Sequence, residues 1–371
     1  MKLGVVGLGR RMASLLKEFQ KAAPDLRLVG VVDTRPGEVL PRVADSFPDV
    51  KFFESLAHLM EAGKPDAIAI GTRCDSHASL AMEAAKYRCP VFLEKPVAIN
   101  LDQAEALENA FLGSDCPVLV SFPLRASPLC RRVKSLLERG AIGPAEHVLA
   151  TNYVAYGDVY FRTSYRDYAI TQGLFLQKAT HDFDYLAWLI GSSITRVAAM
   201  TSLGRVYRDS GSRSGHAGEA IYLDQIGTPE TGMNEDSSSA LLEFADGTKG
   251  VYTQVFFSKR MPRRGATLSG VKGTLEFDWY TNQITTVSHS QPFRDVSTVE
   301  GEENHFGGDR ELARCFIAMV KENAPSMAPI GTGLASAYAC LAAKESAETG
   351  RFVQVRQTKL PLEPGLKDDA F

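Results

Sequence analysis

The sequence predicts two domains: an α/β domain built on a parallel, doubly wound sheet, then an α+β domain. Three observations carry that expectation. Over the first 120 residues, short continuous Val/Ile/Leu runs alternate with amphipathic segments. A Gly-x-Gly turn directly follows the first run. After Phe122-Pro123 the pattern becomes strand-rich, most clearly in "ALLEFADGTKGVYTQVFF", where Asp246-Gly247 joins two alternating runs as a hairpin. A length of 371 residues agrees with two domains at about 150 residues each.

Strand candidates of the first domain are Leu3–Val6, Leu28–Val32, Ala67–Ile70, Val91–Leu93 and Val118–Ser121. Helical patterns lie between them at Arg11–Ala22, His77–Tyr87 and Leu101–Leu112. Asp33, Gly71 and Glu94 each follow a strand, so they belong to the carboxyl edge, where open α/β sheets bind ligands. Beyond residue 122, helices are expected near Leu129–Arg139, Leu174–Ile190 (ended by Gly191), Arg310–Lys321 and Leu334–Glu348, with a strand near Glu146–Tyr153. The expected boundaries are 1–122 for the nucleotide domain, 123–355 for the substrate domain and 356–371 for a solvated tail. Gly204–Ser239, polar and rich in Gly, Ser and charge, reads as a lid, an oligomer arm or a surface insertion.

Composition removes several classes. Apolar residues make up 44% and charged residues 23%, which excludes a disordered or fibrous chain. A net charge of −3 and a pI near 6.2 argue against a nucleic-acid partner, while leaving room for a local anion site. The six cysteines form no C-x-x-C pair and no zinc spacing, so no metal is expected and the thiols read as reduced and buried. No apolar run approaches the ~18 residues of a membrane helix. The expected setting is therefore cytoplasmic, without an anchor.

Three constellations carry chemistry. In "LGVVGLGRRMA", Gly7 permits a tight turn and Gly9 lets the backbone approach a pyrophosphate at a helix N-terminus. Met12 stands where the third glycine of that fingerprint belongs. Asp33 ends the next strand, 24 positions after Gly9, where a carboxylate accepts both ribose hydroxyls and repels a 2′-phosphate. The candidate cofactor contacts are Gly7, Leu8, Gly9, Arg10, Arg11, Met12, Asp33, Thr34 and Arg35. They favour NAD, with NADP left open by Arg35. The second constellation comprises Thr72 and His77 around one turn and Glu94-Lys95-Pro96 after the fifth strand. Lys95 at a carboxyl edge is placed to touch the nicotinamide ribose and to polarise a substrate oxygen; a strand-closing Glu–Lys pair is the other reading. The third is "QKATHDFD", in which Lys178, His181 and Asp184 form a polar stripe and Gln177 sits one turn before His181. An imidazole titrating near pH ~6.5 suits the removal of a hydroxyl proton, and a satisfied histidine on a partly buried helix fits the same pattern. Arg125, Arg162 and Arg166 are either ligands of a polar substrate or solvated and joint-spanning arginines.

In this order and spacing the three segments resemble the glucose–fructose oxidoreductase / inositol dehydrogenase (Gfo/Idh/MocA) family. Further segments that look like it are "SPLCRRVKSLLERGAIGPAEHV", "HFGGDRELARCFI" and "GLASAYACLAAKESAETGRFV", so the resemblance covers roughly residues 2–355. It implies a Rossmann domain followed by a domain on an open, mostly antiparallel sheet. The free face of that sheet would make a homodimer or homotetramer. The implied activity is NAD(P)-dependent oxidoreduction of a sugar, inositol or related polyol. Carried over by motif, Gly7, Gly9 and Asp33 bind cofactor and Glu94 lies near the nicotinamide ribose. Lys95 contacts the reacting oxygen, His181 is the acid/base and Asp184 helps to bind substrate, with Arg125, Arg162 and Gln177 as further candidate substrate contacts. The nicotinamide would lie in the cleft between the halves, with Lys95 and His181 facing it across the polyol.

Many members carry an aspartate four residues before the histidine, where this chain has Gln177. Lys178 is the residue that could take over proton transfer, with Lys95, as a neutral amine. Two other readings are a cofactor-retaining glycosidase or lyase working through transient oxidation, and a non-enzymatic NAD-binding regulator. Neither has motif support here.

Overall fold

A computed structural model describes residues 1–212, 220–292, 294–300 and 305–362. It divides into two compact units. The first comprises Met1–Ala126, Gly307–Ala337 and the segment from Thr358.

The first unit carries a six-stranded parallel sheet in the order β3-β2-β1-β4-β5-β6. The strands are β1 Lys2–Val6, β2 Arg27–Val32, β3 Phe52–Phe53, β4 Ala67–Ile70, β5 Val91–Leu93 and β6 Val118–Val120. That order places the topological switch at β1/β4, the position at which doubly wound sheets take their ligand. Helices α1 Arg10–Ala22, α2 His77–Ala85 and α3 Leu101–Phe111 follow β1, β4 and β5, as the amphipathic segments predict. The edge strand β3 is two residues long and leaves no apolar run to read.

The segment 123–355 expected to form the second domain does not stay together. Gly308–Glu322, α6 in chain order, belongs to the first unit. Its Phe316 closes an aromatic triangle with Phe19 of α1 and Phe92 of β5, the ring centroids lying 5.2–5.5 Å apart. The segment after Val355 also departs from the solvated tail expected. Thr358 Oγ1 and Lys359 N donate to buried Glu108 at 2.7 and 2.6 Å, and Leu360 is buried. Residues 363–371 of that tail lie outside the described residues.

The second unit is built on a nine-stranded sheet in the order β16-β15-β14-β13-β7-β12-β11-β8-β17. Its strands are β7 Ala145–Tyr153, β8 Ile194–Ser202, β11 Ser237–Phe244, β12 Lys249–Val255, β13 Arg263–Gly270, β14 Gly273–Asp278, β15 Gln283–Ser288, β16 Arg294–Thr298 and β17 Val353–Gln354. Only the β7–β12 pair is parallel among these. Alternation along each strand sets two faces. Val148, Ala150, Tyr252, Ala240, Leu242, Ala266 and Leu268 point inward and are buried. Helices α4 Pro128–Glu138 and α5 Thr180–Ile190 belong to this unit. The last helix, α7 Ile330–Thr349, begins in the first unit and ends in the second.

Gly204–Ser239 is more than a surface insertion. Its described residues include the short parallel pair β9 Tyr207–Asp209 and β10 Ile221–Leu223. Tyr207, Leu223, Ile226 and Met233 join Val154, Tyr160, Phe161, Leu174 and Phe256 in a separate buried cluster. Residues 213–219, part of the proposed lid or arm, lie outside the described residues. Of the six cysteines, Cys74, Cys116, Cys130 and Cys340 are buried, while Cys89 and Cys315 are half-buried.

Candidate active site

In the first unit, β1 ends in the predicted turn. Gly7 has φ +83°, and a Cβ there would lie 2.6 Å from the backbone nitrogen of Thr72. No residue with a side chain fits that turn. At Gly9 a Cβ would meet nothing nearer than the Gly71 carbonyl at 3.9 Å, so the space over the turn is open. Gly9 caps α1 without a side chain, and no acidic residue follows in the first turn. The first N–H groups of a 13-residue helix thus face that opening without a side-chain acceptor.

The absent third glycine has a local explanation. Met12 is buried, and its Cε lies 2.6 Å from where a Gly71 side chain would begin. The close approach of α1 to the sheet is thus made at Gly71 instead of at position 12.

Asp33 lies against the turn: its Oδ2 accepts from Leu8 N at 2.8 Å and its Oδ1 from Arg35 N at 2.9 Å. Two carboxylate oxygens retain lone pairs beyond those two bonds. Arg35 is exposed and pairs with Glu38 at 3.2 Å. Arg42, which no motif marks, donates from Nη1 to the Leu8 carbonyl at 2.7 Å. The open turn, the uncapped helix and the adjacent carboxylate fit an adenosine dinucleotide.

Other predicted contacts serve the frame. Arg11 donates through Nε to Glu94 Oε1 at 3.0 Å and through both terminal nitrogens to the carboxylate of Asp309, one of them at 2.7 Å. Burial opposes its charge, and Glu94 and Asp309 more than offset this, so its pKa is raised. Ser121 Oγ also donates to Glu94 Oε1, at 3.0 Å. Arg11 and Glu94 therefore tie α1, β5 and α6 together. His77 is buried, with Nδ1 2.8 Å from the Pro96 carbonyl and Nε2 3.2 Å from that of Thr72. Burial lowers its pKa, and a neutral ring donates to one carbonyl at a time. It holds the turn bearing Thr72 against the Glu94-Lys95-Pro96 segment, whose Lys95-Pro96 bond is cis. Arg125 is buried and donates to the Met327 carbonyl at 3.0 Å.

In the second unit, the expected helix over 174–190 is not uniform. Residues Phe175–Ala179 form a π-helical turn before α5 starts at Thr180. Such turns often sit at functional sites. The wider turn changes the expected stripe. Gln177 Nε2 donates to the Thr171 carbonyl at 2.9 Å, so this side chain points into the preceding segment. Lys178, His181 and Asp184 are all buried, and the His181 ring centroid lies 6.2 Å from that of His305.

Lys178 Nζ donates to Tyr156 Oη at 2.8 Å and lies 5.0 and 5.9 Å from the ring centroids of Tyr156 and Tyr160. Burial lowers its pKa, partly offset by Tyr156. Beneath this pair, Asp182 accepts from Arg264 Nε at 2.9 Å and from Arg264 Nη2 at 3.0 Å. Asp182 Oδ2 also accepts from Tyr252 Oη at 2.8 Å and Asn152 Nδ2 at 3.0 Å. Glu235 accepts the Leu174 and Phe175 N–H groups at 2.9 Å each, fixing the start of the π-helical turn. Burial raises the Glu235 pKa. Arg162 is half-exposed beside Asp158 at 3.5 Å, and Arg166 donates to Gln225 at 3.1 Å, so each has a protein partner. Tyr156, Arg264 and Glu235 were not singled out by motif, and Asp182 lay inside "QKATHDFD" without an assigned role. Register parity does mark Arg264, which falls on the inward side of β13 with Ala266 and Leu268. Among the described residues no group of His, Cys, Asp or Glu could hold a metal, and no helix is long and apolar enough to cross a membrane.

Comparison with known proteins agrees with these features. A family model described as an oxidoreductase family with an NAD-binding Rossmann fold matches residues 1–122, and the GFO/IDH/MocA C-terminal domain matches residues 130–276. The Thermotoga maritima myo-inositol 2-dehydrogenase is 24% identical over 366 residues, covering 96% of this chain and 99% of that one. The Bacillus subtilis scyllo-inositol 2-dehydrogenase (NAD(+)) is 25% identical, covering 67% and 66%. A second Bacillus subtilis protein, YteT, named an oxidoreductase, is 29% identical over 43% of this chain, a match that spans only 40% of its length. A levoglucosan dehydrogenase solved with NADH and levoglucosan superposes with TM-score 0.81 at 17% identity, covering 96% of this chain and all of that one. That likeness establishes the fold.

Proposed function

The chain belongs to the Gfo/Idh/MocA family of oxidoreductases with an NAD-binding Rossmann domain, and from that premise we propose that it moves a hydride between nicotinamide and a carbon of a sugar, inositol or related polyol. The observation that carries this reading is the open Gly7–Gly9 turn with Asp33 bonded to Leu8 N–H. When bound, the cofactor supplies the hydride acceptor or donor. The chain's own residues do the rest. The α1 N-terminus holds the pyrophosphate, and Asp33 accepts the ribose hydroxyls. Lys95 polarises the reacting oxygen. Lys178 and His181, on the segment that Glu235 pins, serve the transfer of the hydroxyl proton, directly or through a neighbouring side chain. The inositol dehydrogenase relatives support a polyol as the substrate class.

The test is to follow nicotinamide absorbance with NAD and NADP against a panel of sugars, inositols and polyols. Turnover with a member of the panel is expected. Absence of any absorbance change, with cofactor bound, overturns the reading. Asp33→Ala is expected to weaken NAD binding by ten- to a hundred-fold, since a hydrogen bond to a charged group contributes about 1.5–3 kcal/mol. NADP binding should change far less, and titration of cofactor fluorescence separates the two.

We also propose that the outward face of the large sheet joins two copies. On that face Ala198, Leu241, Val251 and Leu149 line up across four strands. Leu241 is 50% and Leu149 46% exposed, with Met200 nearby at 72%. Leu241→Asp is expected to shift the protein toward monomer in light scattering; an unchanged mass rules this face out.

A further inference from the structure

We infer that Tyr156 is the residue that exchanges the proton with the substrate hydroxyl, with Lys178 as the buried cation that makes it acidic enough to do so. The inference rests on the oxidoreductase reading above and adds a catalytic residue to it. Tyr156 lies just past the end of β7 and is 49% exposed, while Lys178 is 5% exposed. The Tyr156 side chain is therefore half-exposed while its hydrogen-bonded partner is buried. An ammonium has donors and no acceptor, so in the 2.8 Å contact the Tyr156 oxygen must be the acceptor. The hydrogen of the phenol is thereby directed away from Lys178.

A buried cation favours ionisation of a neighbouring phenol, because the resulting phenolate offsets its charge. The other charges around the pair strengthen this. Arg264 and Lys178 both interact favourably with the ionised form of Tyr156. Asp182, the carboxylate that interacts with Lys178, is occupied by the two-pronged bond to Arg264. Tyr160 and Tyr280 also interact electrostatically with Tyr156, and the Tyr165 ring lies 5.6 Å from that of Tyr160. Burial raises both Tyr160 and Tyr280, so they stay neutral. Gln177 stands where an aspartate would orient His181, and its amide is turned to Thr171.

In the oxidation direction the substrate O–H bond breaks and its proton goes to Tyr156 Oη. The C–H bond breaks, and its electron pair leaves with hydrogen as hydride to the oxidised cofactor. A C=O bond forms: the alcohol is oxidised and the cofactor reduced. The phenol then returns its proton to water. Reduction runs these steps in reverse.

Three variants test this: Tyr156→Phe, Lys178→Met and His181→Asn, each checked for native circular dichroism. Ultraviolet difference titration without substrate is read first. One tyrosine is expected to ionise below the ordinary value of about 10. That signal should vanish in Tyr156→Phe and move up in Lys178→Met. With substrate, Tyr156→Phe should lower kcat by about 10²–10⁴-fold and remove the ionisation from the kcat/KM profile, with KM little changed. Lys178→Arg should restore part of the activity lost in Lys178→Met. The inference is overturned if no low-titrating tyrosine is lost in Tyr156→Phe, or if His181→Asn alone removes the pH dependence. Absence of any polyol turnover in the wild type would instead overturn the oxidoreductase reading, while the tyrosine titration still reports on the pair.

Discussion

Replacing Arg264 with methionine is expected to destabilise the second unit by about 3–5 kcal/mol. Arg264 and Asp182 are 4% and 0% exposed and share two hydrogen bonds, at 2.9 and 3.0 Å. Removing the guanidinium leaves a carboxylate that water cannot reach. Tyr252 and Asn152 still donate to it, but neither brings a positive charge. Burial opposes the Arg264 charge and Asp182 more than offsets this, so its pKa is raised. The magnitude therefore comes mainly from the abandoned partner. A double variant, Arg264→Met with Asp182→Leu, should recover much of the loss, because a buried ion pair exchanged for apolar residues is often close to neutral. Urea denaturation of the two variants measures the difference. Equal destabilisation in single and double variants would show that packing, and not the unpaired charge, sets the cost.

Lys178→Met is expected to lower turnover by about 10²–10⁴-fold while leaving NADH binding unchanged. Asp33 and the Gly7–Gly9 turn, not Lys178, are the residues proposed to hold the cofactor. Stability should behave differently from activity. The Lys178 pKa is lowered in the fold by burial, below its ordinary value of 10.5. Between the lowered value and 10.5 the unfolded chain binds a proton that the folded chain has released, so wild-type stability rises with pH across that window. Below the window the ionised form opposes folding. Methionine removes both the cost and the slope. The variant should thus be at least as stable as the wild type at neutral pH and nearly inactive. Denaturation midpoints as a function of pH, together with kcat, check this; loss of stability in parallel with activity would assign Lys178 a structural role.

Much of the first unit was legible because its signals are local. Each buried parallel strand is a short Val/Ile/Leu run, and the strands Ala67–Ile70 and Val91–Leu93 lie where those runs do. The Gly7–Gly9 turn was readable because only glycine fits a backbone with φ +83° pressed on Thr72. Other roles changed once the chain was folded. Arg11 had the position of a cofactor contact and is a clamp on Glu94 and Asp309, the latter brought from a helix 298 positions away. His77 stood at the right turn and is buried between the Pro96 and Thr72 carbonyls, donating to one of them. Helical spacing placed Gln177 one turn before His181, but the π-helical turn over Phe175–Ala179 rotates it toward Thr171.

The sequence by itself determined a parallel α/β domain with a dinucleotide turn and a strand-rich second half, because turn stereochemistry and hydrophobic period are properties of adjacent residues. Tertiary structure decided which charges are partnered: Arg264 with Asp182, Lys178 with Tyr156, Arg11 with Asp309. Electrostatic coupling depends on distance through space and on exclusion of water. Both are set only when segments far apart in the chain have packed.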